Sequence, residues 1–143
     1  MLTPGRRVVV ADTALGKMGM VTCYDLRFPE LFRCMAEQGA EIFLVSSAWP
    51  YPRLEHWLML NRVRALENQC FLVSSDSVGF NQGNQFVGHS MIVNPWGAIM
   101  AGGGDEEVSV KAEIDVAEVY ATRKKFPALA DRVAWLNAPC GEL

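Results

Sequence analysis

Apolar and polar positions along this chain fall into short buried runs separated by turns, with stretches of helical period between them. Arg7 to Asp12 reads as a strand, and Thr13 to Lys17 as a hairpin turn into a second apolar run that ends at Cys23. Pro29 suits the first turn of a helix, where its missing N–H costs nothing. A helix over Glu30–Gln38 places Leu31, Phe32 and Met35 on one side, and Gly39 stops it. Ile42 to Ser46 is the next strand, and Ser46 to Pro52 is a loop stiffened by Pro50 and Pro52. Glu55 to Asn68 is the longest helix. Met59, Val63 and Leu66 form its stripe at i, i+4, i+7, and Trp57 and Leu60 are apolar on a different side. A helix that packs only on its own sheet needs one stripe. Two apolar sides fit a helix buried deep in one domain or one that also meets a second subunit.

Cys70 to Ser75 is another buried strand, and the Gly/Asn/Gln-rich stretch from Asp76 to Gly88 reads as a loop. Asn94-Pro95-Trp96-Gly97 marks a hairpin turn between two short strands. Val108 to Ile114 alternates apolar and polar residues, as an edge strand does. Asp115 with Glu118 is a capping box that opens a helix to about Lys125. The rest, Ala128 to Leu143 with Trp135, has no regular pattern. Strand, helix and strand in succession from Met18 to Ser46 predict an α/β protein.

Composition narrows the function classes. The 143 residues are one domain's worth of chain, half of them hydrophobic. Thirteen basic and 16 acidic residues are interspersed, for a net charge of −3. No basic stripe suits nucleic acid, and no charge block suggests a disordered tail. The apolar runs are strand length, far short of a membrane span, and Met1 to Arg7 lacks the apolar core of a signal peptide. Cys23, Cys34, Cys70 and Cys140 include no Cys-x-x-Cys pair, and His56 and His89 are the only histidines. A zinc site is not expected; reduced thiols and a cytoplasmic location are.

The chemistry centres on Cys23. It closes a strand, faces a sharp turn whose backbone N–H groups are free, and precedes a helix. That geometry serves a thiol nucleophile with N–H groups ready for an oxyanion. A cysteine in an apolar strand also packs as a small buried hydrophobe, and spacing alone leaves both readings open. Lys17 reads as a solvated turn lysine.

Cys23-Tyr24-Asp25-Leu26-Arg27-Phe28-Pro29-Glu30-Leu31 resembles the nucleophile motif of the nitrilase superfamily, the carbon–nitrogen hydrolases. Further matches follow in order: His56-Trp57 with Arg62, Arg64-Ala65 and Glu67-Asn68-Gln69; Gly88-His89-Ser90 with Pro95-Trp96-Gly97; and Val110 to Asp115 leading into a short helix. The likeness runs from Thr3 to Arg132. It implies an αββα sandwich, an amide or nitrile substrate cleaved through a cysteine thioester, no metal or organic cofactor, and a homodimer formed through the 55–68 helix. The Ser46–Trp49 loop and the Arg62–Asn68 helix look most like the branch that cleaves omega-amides of dicarboxylic acids, such as 2-oxoglutaramate. By this resemblance Cys23 is the nucleophile, and the Tyr24 N–H is an oxyanion donor. Arg27 either braces the turn, the favoured role, or holds a substrate carboxylate. Trp49 walls the pocket or packs in the core. Arg64 and Glu67 form a surface pair or a buried brace.

The chain departs from the family's pattern in one respect. The family's glutamate base and catalytic lysine precede the cysteine, and neither has a counterpart in the 22 residues before Cys23. A free thiol has a pKa near about 8.5, so it is mostly protonated at neutral pH without a base. The expectation is an incomplete, C-terminal portion of the sandwich with exposed strand edges, weak or inactive as a hydrolase alone. The alternatives are a non-catalytic module that pairs through the 55–68 helix, and an unrelated Cys–His hydrolase using His56 or His89.

Overall fold

The computed structural model describes residues 5–133. A six-stranded sheet organises them: β1 (Val10–Thr13), β2 (Gly16–Thr22), β3 (Ile42–Ser47), β4 (Phe71–Asp76), β7 (Met91–Val93) and β8 (Ile99–Gly102), side by side in that order. The three central strands β2, β3 and β4 are parallel, while β1, β7 and β8 run antiparallel to their neighbours. Two helices serve as the crossovers: α1 (Pro29–Glu37) joins β2 to β3, and α2 (Leu54–Asn68) joins β3 to β4. This is the expected strand–helix–strand unit, repeated once.

Both crossover helices pack on one face of the sheet. Phe32, Met35 and Ala36 of α1 and Trp57 and Ala65 of α2 meet Val21, Phe43, Val45, Leu72 and Val93, all buried. The opposite face is covered by α3 (Ala117–Lys125), whose Val119 packs on Ile42 and Phe71. Farther along the same face Met20 is 73% exposed. Glu41, buried in front of β3, ties the layers together. It accepts the Lys17 N–H at 2.7 Å and the Tyr120 hydroxyl of α3.

Several elements differ from the sequence reading. The polar stretch after β4 is a hairpin, β5 (Val78–Asn81) and β6 (Asn84–Val87), rather than a loop. Gln82 and Gly83 form its turn, both at positive φ, the pairing that matches strand twist in a tight hairpin. Val108 to Ile114, expected as an edge strand, pairs with no strand among the described residues. The first strand starts at Val10, and Cys70 lies outside β4. At α3 the Asp115 carboxylate takes the Ala117 N–H at 2.9 Å, an Asx turn rather than the expected capping box. Trp135 and Cys140 lie outside the described residues.

The longest helix is oriented opposite to its apolar stripe. Trp57, Asn61, Arg64, Ala65 and Asn68 face the core, while Met59 and Leu66 are 62% and 49% exposed. The donors of two buried polar side chains find partners locally, although the Oδ1 atoms of Asn61 and Asn68 have none. Asn61 and Asn68 each donate to the carbonyl one turn back, Trp57 at 2.8 Å and Arg64 at 2.9 Å. The outward stripe lines a shallow groove with Leu58, Arg62 and Trp96.

Candidate active site

The site grows from the carboxyl ends of the three parallel strands, where open α/β sheets place their ligands. Thr22 lies opposite Ser46, and Ser46 opposite Ser75. Cys23, just past the end of β2, Ser47 of β3 and Asp76 of β4 therefore follow at one level.

Cys23 opens a short 3-10 turn, Cys23–Arg27, between β2 and α1. Its φ is +48°, in the left-handed region. For a residue with a Cβ this costs about 1–2 kcal/mol, a strain seen where a nucleophile is thrust out of a strand-to-helix elbow. Two interactions hold the turn in place. Asp25 reaches back to accept the Thr22 N–H at 2.9 Å. Arg64, buried on α2, donates its Nε–H to the Leu26 carbonyl at 3.0 Å. Phe28 then closes the turn onto the Asp25 carbonyl, and Pro29 starts α1. Cys23 is half-buried, and no hydrogen bond among the described residues engages its Sγ. The first N–H groups of the turn, including that of Tyr24, have no carbonyl one turn earlier to bind.

Arg27 ends the turn. Its guanidinium carbon lies 4.7 Å from the Trp49 ring centroid and 5.8 Å from that of Tyr24, within cation–π range. A stacked guanidinium keeps its in-plane N–H groups for an anion. Trp49 is 2% exposed and belongs to the core. Its indole N–H donates to the Arg53 carbonyl at 3.0 Å, and its ring packs 5.7 Å from Trp57. That core tryptophan presents its ring face to Arg27. Its backbone N–H donates to Asp76 Oδ1 at 2.6 Å. Asp76 is buried, its Oδ2 has no partner, and burial raises its pKa above the ordinary carboxylate value. Nothing in the sequence beyond its place at a strand end marked Asp76 as the anchor of this loop.

The other candidates lie apart from the thiol. Arg64 and Glu67 form the buried brace rather than a surface pair, 2.8 Å from Nη1 to Oε1. His56 is exposed on α2. His89 Nδ1 lies 2.7 Å from the Val87 carbonyl and 3.3 Å from Asp105, and the His89 carbonyl accepts the Trp57 indole N–H. Neither histidine hydrogen-bonds Cys23. Lys17 sits in β2, at the end of the strand opposite to Cys23. Among the described residues no group of three or more His, Cys, Asp or Glu side chains could hold a metal ion, and no helix is long and apolar enough to cross a membrane.

Residues 1–124 match the model of the carbon–nitrogen hydrolase family. The chain belongs to that family. It is similar to the 2-oxoglutaramate amidase of Bacillus subtilis, 45% identical over 115 residues that span 80% of this chain and 44% of the relative. The chain thus spans less than half the length of that protein. Among solved structures it is similar to Saccharomyces cerevisiae Nit3, a member of branch 10 of the nitrilase superfamily, with a TM-score of 0.81 and 35% identity. That match covers 88% of this chain and 47% of the yeast chain. It is similar also to a variant of the amidase from Nesterenkonia sp. AN1, with a TM-score of 0.80 and 28% identity, covering 94% of this chain and 48% of that one. In that structure the acetamide moiety of fluoroacetamide is added covalently to the active site cysteine. The fold of this carbon–nitrogen hydrolase chain is the α/β nitrilase type that its motifs implied.

Proposed function

We propose that the chain provides the nucleophile and substrate-anion elements of an amidase, one that cleaves the omega-amide of a dicarboxylic or 2-oxo acid and releases ammonia. The single observation that carries the reading is Cys23 at positive φ on a pinned turn that ends in Arg27. The similarity to a 2-oxoglutaramate amidase and to an amidase with a covalently modified active site cysteine supports it.

The chemistry runs as follows. The Cys23 thiolate adds to the amide carbon, and the carbonyl oxygen becomes an oxyanion facing the Tyr24 N–H. Collapse expels ammonia, once its nitrogen is protonated, and leaves a thioester on Sγ. Water then adds, the C–S bond breaks, and the products are the carboxylic acid and the free thiol. Arg27, over the ring of Trp49, holds the distal carboxylate through its N–H fork. Among the described residues no side chain hydrogen-bonds the Cys23 thiol. A thiol without a base is mostly protonated at neutral pH, so the chain alone is expected to be a weak catalyst.

A second reading, a module that pairs through α2, draws on the exposed Met59 and Leu66 stripe and the groove beside Trp96. Both readings place a homodimer contact there. Ammonia release from 2-oxoglutaramate separates them. Slow release by the chain that disappears in Cys23→Ala supports the amidase, and release that persists in Cys23→Ala contradicts it.

A further inference from the structure

The reading of Cys23 as a nucleophile leaves open what keeps its turn strained. Arg64 is a buried cation, 5% exposed, on the core-facing side of α2. One flat guanidinium performs three tasks there. Its Nε–H binds the Leu26 carbonyl at 3.0 Å, its Nη1 binds Glu67 at 2.8 Å, and its carbon lies 5.6 Å from the ring centroid of Phe32 on α1. Leu26 and Phe32 are themselves fully buried. The turn is thus pinned at its first residue side by Asp25 on Thr22, and at its far side by α2. Between the pins lie Cys23, at +48°, and the Tyr24 N–H. With the far pin released, the backbone can relax toward negative φ and swing that N–H away from the thiol.

We propose that Arg64, aimed by Glu67, is the positioning residue that fixes the oxyanion N–H relative to Sγ. The role rests on the nucleophile reading above. It requires two N–H groups of a fixed fork pointing at two acceptors, which a lysine ammonium on a flexible stem cannot reproduce. Arg64 acts through the turn and touches no substrate.

Two reactions at the same sulfur separate positioning from general stability. Acylation by p-nitrophenyl acetate transfers the acetyl group to Sγ and expels p-nitrophenolate through an oxyanion. Alkylation by iodoacetamide forms an S–C bond and expels iodide with no oxyanion. Both rates are read at Cys23 by peptide mass spectrometry on the 143-residue chain. Arg64→Lys is expected to lower the ratio of acylation to alkylation by about tenfold, below the ~100-fold typical for outright loss of an oxyanion donor. Glu67→Gln, which keeps the arginine but frees its aim, lowers the ratio less. A folded Arg64→Lys variant with an unchanged ratio overturns the proposal. If Arg64→Lys does not fold by circular dichroism, an unchanged ratio in Glu67→Gln overturns it instead. A parent chain whose Cys23 is alkylated but never acylated overturns the nucleophile reading and the positioning role with it.

Discussion

The guanidinium of Arg27 lies over the ring of Trp49, and Trp49 hangs by its backbone N–H from the buried carboxylate of Asp76. The nucleophile turn after β2, the loop after β3 and the end of β4 are thereby joined through three side chains. On the proposed reading Arg27 holds the substrate anion, and it should then choose substrates by their distal charge. Arg27→Gln is expected to weaken binding of a 2-oxo dicarboxylate by about tenfold or more, the value of one hydrogen bond to a charged group. Arg27→Lys should fall between, because the ammonium lacks the planar fork. Calorimetric titration of the chain with 2-oxoglutarate checks both.

Asp76 gives a pH-dependent prediction. Burial raises its pKa in the folded chain above the ordinary 3.8. The native state then holds the proton to higher pH than the unfolded state does. The stability this group contributes is full below 3.8 and is lost as pH rises through the folded value. Asp76→Asn keeps the acceptor for the Trp49 N–H and carries no charge at any pH. The variant should melt higher than the parent at neutral pH, and the difference should shrink as the pH falls through the folded pKa and be gone below 3.8. Thermal melts at several pH values test this.

Thiol reactivity should follow the structure. Cys70 is buried, donates to the Ala40 carbonyl at 3.2 Å, and lies beside Arg123; burial nevertheless pushes its pKa up to about 11. At pH 8 only about one Cys70 in a thousand is thiolate. Alkylation at pH 8 should label Cys23 well ahead of Cys70, and Cys70 should become reactive only as the pH approaches 11. A time course of site-resolved labelling checks the order.

The outward stripe of α2 should be an oligomer contact. Met59→Glu and Leu66→Glu place charge on residues that are exposed in the single chain, so neither should lower the melting temperature of a monomer much. Light scattering is expected to show a mass near twice 15.8 kDa for the parent and near 15.8 kDa for the variants. An unchanged mass in both variants removes α2 as the contact.

The strand–helix–strand unit around α1, the Asn94–Gly97 hairpin and the Cys23 elbow were legible in the sequence. In each, apolar period and turn residues agreed with the packing. The inward face of α2 was not. Asn61, Arg64 and Asn68 count as polar in any periodicity, yet each is buried and donates a hydrogen bond to a backbone carbonyl. The β5–β6 hairpin was hidden by polar composition, since a ribbon with little core to cover needs few apolar residues. Val108 to Ile114 erred the other way: alternation was present, but a paired edge was not. The Cys23 turn could be read from local sequence. The Asp76 anchor could not, because its partner is 27 residues away, and the depth of Arg64 could not, because it depends on which way the helix faces.

The most direct test of the central claim is acid-quenched peptide mass spectrometry of the chain after mixing with 2-oxoglutaramate. A nucleophilic Cys23 should be found carrying the substrate's acyl group as a thioester, with ammonia lost, and Cys23→Ala should carry none. Ammonia release with no acyl group on Cys23, or an acyl group on another cysteine, would contradict it.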